Sequence, residues 1–235
     1  MWSGPRNIST AMMRSWGSRA DTVVCDEPLY AHYLASTGLE HPGRDEVIAH
    51  HETDWRKVVE WLCGPVPGGK AVFYQKHMAH HLLPGMDDAW TDALKNCFLI
   101  RDPAAMLVSL AKVLPHTPTV EETGLLQQRR LFDRHARAGQ QAPVIDSADV
   151  LRDPKRMLSQ LCGTVGVAWD EAMLHWAPGR RATDGVWAKH WYASVEASTG
   201  FAPIEEKPVD VPRELRNVHC ACREIYDELF EHRIT

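Results

Sequence analysis

The feature that most constrains this chain is an alternation in which short β-prone runs recur with helix-length amphipathic patterns between them. Thr-Val-Val-Cys at 22–25, Ala-Val-Phe-Tyr at 71–74, Cys-Phe-Leu-Ile at 97–100 and Pro-Val-Ile at 143–145 are the strand candidates. Helical periodicity fills 10–18, 54–62, 103–113, 120–138, 154–165 and 213–232. Strands joined by helices pair in parallel, because each crossover returns the chain to the same end of the sheet. The expectation is an α/β chain of three layers, with a central parallel β-sheet flanked by helices. Asp54, the pair Asp153-Pro154 and Pro212 mark three helix starts, each suited to the first turn. Residues 180–208 are rich in Trp, His, Gly and Thr, follow no clean period, and are read as a lid or acceptor segment. No repeat or linker divides the rest, so residues 1–235 are read as a single domain. The beginning is odd: only Met1 and Trp2 precede the first loop, so either the first strand is a stub or the chain's true start lies upstream.

Composition narrows the function. Hydrophobic residues at 44% and charged residues at 24% are those of a folded globular chain, and no run approaches about 18 uninterrupted apolar residues. A net charge of −5 argues against a nucleic-acid partner held by an overall basic field, and any anion site has to be built locally. The six cysteines are scattered behind no signal-like start, which is read as free thiols in a cytoplasmic protein without a membrane partner. Cys220 and Cys222 follow His219, but in a helix they point apart, so a zinc site is not expected there.

Two local patterns carry anion chemistry. Ser3-Gly4-Pro5-Arg6-Asn7-Ile8-Ser9-Thr10 runs directly into a helical stretch. Amides at a helix start are unsatisfied donors at the positive end of the dipole, the Ser9 and Thr10 hydroxyls add side-chain donors, and Arg6 supplies a full charge. A Walker A loop would need a second Gly, and a Lys where Ile8 stands, which disfavours ATP hydrolysis. The second pattern is the strand 98–100 ending in Arg101-Asp102-Pro103, with Ser109 eight residues beyond Arg101. Ligands of open α/β sheets bind outside the carboxyl ends of the strands, so Arg101 and the N-terminal loop should share a crevice and hold a ligand with two separated phosphates.

These residues resemble the sulfotransferases that use 3′-phosphoadenosine 5′-phosphosulfate. Pro5 to Thr10 is similar to that family's 5′-phosphosulfate loop, Pro-Lys-Ser-Gly-Thr-Thr in the cytosolic branch, with Arg6 in place of Lys. Arg101 and Ser109 resemble its 3′-phosphate motif. Gln75-Lys76-His77-Met78 followed by Leu82-Leu83-Pro84 resembles its Lys-x-His segment, in which His77 matches the catalytic base. Asp149 to Arg156 is similar to an Asp-Leu-x-x-Asp-Pro helix start, and Cys25-Asp26-Glu27-Pro28-Leu29 to a Glu-Pro element of bacterial and carbohydrate-type members. The resemblance covers roughly residues 1–190. It implies a P-loop-like fold, with 3′-phosphoadenosine 5′-phosphosulfate as co-substrate and no metal. It also implies a donor site of Gly4, Pro5, Arg6, Asn7, Ile8, Ser9, Thr10, Arg101 and Ser109. Three departures stand out. Ile8 replaces the loop Gly, which requires a backbone there without positive φ. Gln75 stands in place of the first Lys. The C-terminal Arg-Lys-Gly motif is missing, and Arg180 and Arg181 are its candidate substitutes at the 3′-phosphate.

The catalytic expectations follow from the reaction. A hydroxyl or amine of a small-molecule acceptor must lose a proton, and His77 or Glu27 can take it, His77 being favoured because it is mostly neutral at pH 7. Arg6 answers the charge that builds on the departing 5′-phosphate. Lys76 is read as a surface residue rather than a leaving-group aid. His77, His80 and His81 could form a metal cluster, but no His-Glu-x-x-His motif accompanies them; His80 or His81 is read as lining the acceptor pocket. Trp187, His190, Trp191 and Tyr192 are either lid rings, able to box a cationic acceptor, or ordinary core. Two other functions stay open: a P-loop kinase or phosphotransferase, and a catalytically inactive nucleotide-binding module. Homo-oligomerisation is left open as well.

Overall fold

A computed structural model describes residues 1–204 and 208–235. Its elements, in chain order, are β1 (Trp2–Ser3), α1 (Ser9–Gly17), β2 (Thr22–Asp26), α2 (Tyr30–Thr37), α3 (Arg44–His50), α4 (Trp55–Leu62), β3 (Val72–Met78), β4 (Phe98–Ile100), α5 (Pro103–Ala111), α6 (Leu125–Arg137), β5 (Val144–Asp146), α7 (Ser147–Arg152), α8 (Pro154–Val165), α9 (Ala188–Trp191), α10 (Ala193–Glu196) and α11 (Arg216–Phe230). The strand order is β2-β3-β1-β4-β5. This is the α/β fold expected, with a central parallel sheet and helices around it.

The chain divides into two compact units. Unit one comprises Met1–Ser9, Lys95–Trp169 and Ala202–Thr235; unit two comprises Thr10–Leu94 and Asp170–Phe201. In unit one β1 and β5 both pair in parallel with β4, Trp2 opposite Phe98 and Phe98 opposite Val144. Phe98, Leu99, Ile100, Val144 and Ile145 are fully buried, the near-continuous apolar run that a strand covered on both faces requires. The first strand, β1, has two residues. Asp102 caps α5, its carboxylate accepting from the Ala104 and Ala105 amides at 2.9 and 3.3 Å, with Pro103 at the first helical position. Asp153 and Pro154 open α8 in the same way, and Gly166 at φ 77° closes it. On α11 Cys222 is fully buried and Cys220 exposed, so the two thiols do point apart.

Unit two is built on β2 and β3, parallel and in register from Thr22 opposite Val72 to Asp26 opposite Lys76. Asp54 caps α4, accepting from the Arg56 amide. Helices α2 and α3 occupy a stretch for which the sequence offered no period, and they bury Tyr30, Tyr33, Leu34 and Val47 against Trp187, Ala188 and Tyr192. Trp187 (2% exposed) and Tyr192 (4%) are therefore core residues, whereas His190 is exposed. The expected lid segment holds α9 and α10; its residues 205–207 lie outside the described residues. Among the described residues no helix is long and apolar enough to cross a membrane.

Candidate active site

Unit one carries the anion loop through Ser9, and Thr10 stands second in α1. The loop leaves β1 at Ser3 and is locked from below. Asn7, 1% exposed, donates from its amide to the Leu99 carbonyl on β4 at 3.2 Å, and its Oδ1 is buried without a partner. A Cβ on Gly4 would lie 2.3 Å from the Thr123 carbonyl oxygen, so only glycine fits this approach. With its amide oriented to satisfy both neighbours, buried Gln128 accepts from the Gly4 N–H and donates to the Leu99 carbonyl, each at 3.2 Å.

The loop backbone is strained. Arg6 (φ 62°) and Ile8 (φ 59°) both sit in the left-handed region. The expectation of a backbone without positive φ at Ile8 is thus overturned: the β-branched residue takes the conformation that glycine would adopt freely. Neighbours hold it there, since Asn7 is pinned between the two strained residues. Among the described residues the third non-glycine with positive φ is Glu27 (φ 42°). All three had been singled out as site residues from the sequence, and strain of this kind clusters at functional sites.

The two anion patterns meet as expected. Arg6 Nε donates to Ser109 Oγ at 3.0 Å, and Arg101 Nη1 donates to the Arg6 carbonyl oxygen. Neither guanidinium makes a salt bridge to a carboxylate among the described residues. Burial, and then the adjacent Arg6 charge, pulls the Arg101 guanidinium down from its ordinary value. Beside them, Arg223 on α11 pairs with the cap residue Asp102 and with Asp227, the latter at 3.4 Å.

Unit two holds the candidate bases, and the strand alternation of β3 separates them. Lys76, 1% exposed, points to the face shared with its register partner Asp26. Its ammonium donates to Asp26 Oδ1 at 2.8 Å, Glu27 Oε1 at 2.7 Å and the Tyr192 hydroxyl oxygen at 2.6 Å. Tyr192 Oη donates to the Asp26 carboxylate at 2.8 Å, and the Gly185 amide reaches Asp26 Oδ2 at 3.3 Å. Lys76 is therefore not the surface residue expected: two carboxylates stabilise its charge inside the protein. Burial works to lower it, but Asp26 and Glu27 hold it well above its usual value. Burial raises the Glu27 carboxyl against the opposing pull of Lys76. Glu27 remains within reach of solvent, its side chain 12% exposed. No local pattern marks Asp26 and Tyr192 as partners of Lys76, because their contacts span 50 and 116 residues.

His77 lies on the opposite face of β3, buried, its Nε2 3.2 Å from Gln75 Oε1 and its ring 5.8 Å from Trp90. Burial pushes its pKa well below the usual histidine value. His81 is buried and stacks on Tyr30 and Tyr33 with ring centroids 4.9 and 4.8 Å apart, and half-buried His80 meets Tyr33 edge-on at 5.2 Å. Among the described residues no group of three His, Cys, Asp or Glu side chains could hold a metal ion. Arg180 reaches Glu196 at 3.6 Å, and Arg181 donates to the Ala177 and Arg180 carbonyls. Asp184 between them and Trp187 is a staple: it accepts from Arg14 in a fork of 2.5 and 2.7 Å and from the Arg181 amide at 2.8 Å.

Against known proteins, residues 1–226 match the model of the sulfotransferase domain family, and the chain belongs to that family. Two relatives from Arabidopsis thaliana are branched-chain-amino-acid aminotransferase-like proteins 1 and 2. They are 38% identical over 212 residues and 33% identical over 231, which is 90% and 98% of this chain. The chain spans only 38% and 41% of those relatives' own length. A solved sulfotransferase from Alicyclobacillus acidocaldarius shares the fold, with a TM-score of 0.56 at 15% identity, covering 100% of this chain and 95% of that one.

Proposed function

We propose that this chain moves a sulfuryl group from 3′-phosphoadenosine 5′-phosphosulfate to a hydroxyl, or an amine, of a small-molecule acceptor. The observation that carries the reading is the pair of arginines in unit one. Arg6 on the strained loop meets Arg101, at the end of β4, and Ser109, on α5, and no carboxylate makes a salt bridge with either arginine among the described residues. Two clustered cations repel, and a ligand carrying two phosphate groups relieves that repulsion. In this reading Arg101 and Ser109 hold the 3′-phosphate, while Arg6 and the amides and hydroxyls of Gly4 to Thr10 hold the 5′-phosphosulfate. Arg180 and Arg181 stay candidates for a further 3′-phosphate contact.

Sulfuryl transfer asks the protein mainly for positioning and charge stabilisation. The acceptor oxygen forms its bond to sulfur as the bond from sulfur to the phosphate oxygen breaks. Contacts from Arg6 and the loop amides to that departing phosphate strengthen in the transition state and so raise kcat. We assign the acceptor's proton to Glu27 in preference to His77. Glu27 is partly exposed and held by Lys76, whereas His77 is buried on the other face of β3. The reading of residues 1–235 as one catalytic domain, and its cytoplasmic location, belong to the same proposal.

The test is conversion of the phosphosulfate donor to 3′-phosphoadenosine 5′-phosphate over a panel of alcohols and amines, followed by mass spectrometry. Sulfated product that falls about 10²- to 10⁴-fold in Glu27→Gln and survives in His77→Gln is the expected result. Transfer that needs ATP and Mg²⁺ instead would show a phosphotransferase.

A further inference from the structure

Glu27 is held twice by one residue of β3. Its backbone amide donates to the Lys76 carbonyl at 2.9 Å, and its carboxylate oxygen Oε1 accepts from the Lys76 ammonium at 2.7 Å. The Glu27 carbonyl in turn accepts from the Tyr30 amide at 3.0 Å. These bonds keep Glu27 at φ 42°, a conformation that a glutamate adopts only where its neighbours impose it. They also make its two carboxylate oxygens unequal. Oε1 faces Lys76 and, at 3.5 Å, the Tyr192 hydroxyl, whereas Oε2 has no hydrogen-bond partner among the described residues. Tyr192 arrives from the junction of α9 and α10, where its amide bonds to the Ala188 carbonyl and its carbonyl to the Glu196 amide, each at 2.8 Å. Trp187 Nε1 donates to its hydroxyl oxygen at 3.2 Å. The hydroxyl proton goes to Asp26, so Tyr192 takes up part of the Asp26 charge and leaves more of the Lys76 charge to Glu27.

Resting on the proposed role of Glu27 as base, we infer that Tyr192 is a positioning residue: through Asp26 and Lys76 it helps fasten Glu27 by Oε1, so that Oε2 is the oxygen presented to the acceptor. The acceptor's hydroxyl proton passes to Oε2 while its oxygen bonds to sulfur, and the electron pair of the broken sulfur–oxygen bond leaves with the phosphate. How readily Oε2 takes that proton depends on the groups around Glu27. These are Asp26 on β2, Lys76 on β3, Tyr192, and Tyr30 on α2, whose phenol is kept protonated by burial and then by the Glu27 charge. Behind them Asp184 is neutralised by Arg14, His51 feels the Asp26 charge and His81 that of Lys76.

Carbon NMR of the whole chain, isotope-labelled at the glutamate side-chain carboxyl, reads the protonation of Glu27 directly, its resonance assigned by its absence from Glu27→Gln. In Tyr192→Phe the ring stays and only the hydroxyl goes, and the Glu27 midpoint is expected to rise by about one pH unit, roughly a tenfold gain in proton affinity. In Asp26→Asn the neighbouring negative charge goes, and the midpoint is expected to fall by about one unit. A purely structural role would change Tm and leave both midpoints in place. A midpoint unchanged in either folded variant, shifts of the same sign, or loss of the fold in both variants would overturn the inference. Transfer to the alcohol and amine panel, followed in the same samples, keeps the two ideas apart. The low-pH limb of kcat should move with the midpoint in each variant. Midpoints that shift as expected, with no sulfated product from the parent, would support the hold on Glu27 and count against the sulfotransferase reading alone.

Discussion

The charged clusters of the two units solve opposite problems. In unit one Arg6 on the strained loop and Arg101 at the end of β4 lie together, and neither makes a salt bridge to a carboxylate among the described residues. In unit two Lys76 is fully buried, yet Asp26, Glu27 and Tyr192 all touch it. Charge left open on a rigid loop is available to a ligand; charge closed inside a network is committed to the fold and to setting the state of its neighbours. On the proposed function the contrast separates recognition from proton handling, and it predicts different penalties when each cluster is cut.

The largest effect should come from the closed network. Lys76→Met leaves two carboxylates facing each other in the interior, and breaking a buried pair in this way costs about 3–5 kcal/mol. A large fall in Tm should result, and a variant as stable as the parent would mean that the network is not held as described. The open cluster should behave otherwise. Arg101→Ala breaks no salt bridge and relieves the repulsion from Arg6, so ligand-free Tm should barely move. Affinity for the bisphosphate should drop by roughly tenfold to a hundredfold, the worth of a charge-assisted bond at about 1.5–3 kcal/mol, as read by calorimetry.

A pH series sharpens the contrast further. His77 and His81 are buried and His80 half-buried, and loss of water depresses the pKa of each, that of His80 to about 3. Their contribution to stability is complete above the unfolded histidine pKa of about 6.5. It is lost as pH falls from there toward the folded values, at about 1.4 kcal/mol per pH unit for each histidine that the unfolded chain protonates. Urea unfolding at pH 7.5 and 5.5 should show this loss, and His80→Gln should flatten it. The smallest effect is at Ile8. Replacement by Gly removes a left-handed penalty of about 1–2 kcal/mol but adds a backbone entropy cost of about 0.5–1 kcal/mol. Ile8→Gly should therefore be stabilised slightly, by no more than about 1 kcal/mol in thermal unfolding, and a clear loss would show that the isoleucine side chain packs in the loop's favour.

Much of this was legible in the chain itself, where the signals were local. The predicted helix 154–165 matches α8 from end to end because its start, Asp153-Pro154, and its stop, Gly166, are adjacent chemical signals. Arg101 and Ser109 reach the loop because a strand end and the following helix fix their spacing. Nonlocal features were hidden. No pattern near Lys76 announces a tyrosine 116 residues away, so the lysine reads as a surface charge. Helices α2 and α3 were missed because their apolar residues face Trp187 and Tyr192, far along the sequence. Ile8 was misjudged because propensity forbids what tertiary contacts at Asn7 impose.

If unit one binds two phosphate groups as proposed, a thermal-shift titration with 3′-phosphoadenosine 5′-phosphate, ADP and ATP will show it. Selective stabilisation by the bisphosphate is expected, about 2.7 kcal/mol at a hundred times its Kd. Preference for ATP, or no response to any of the three, would contradict it.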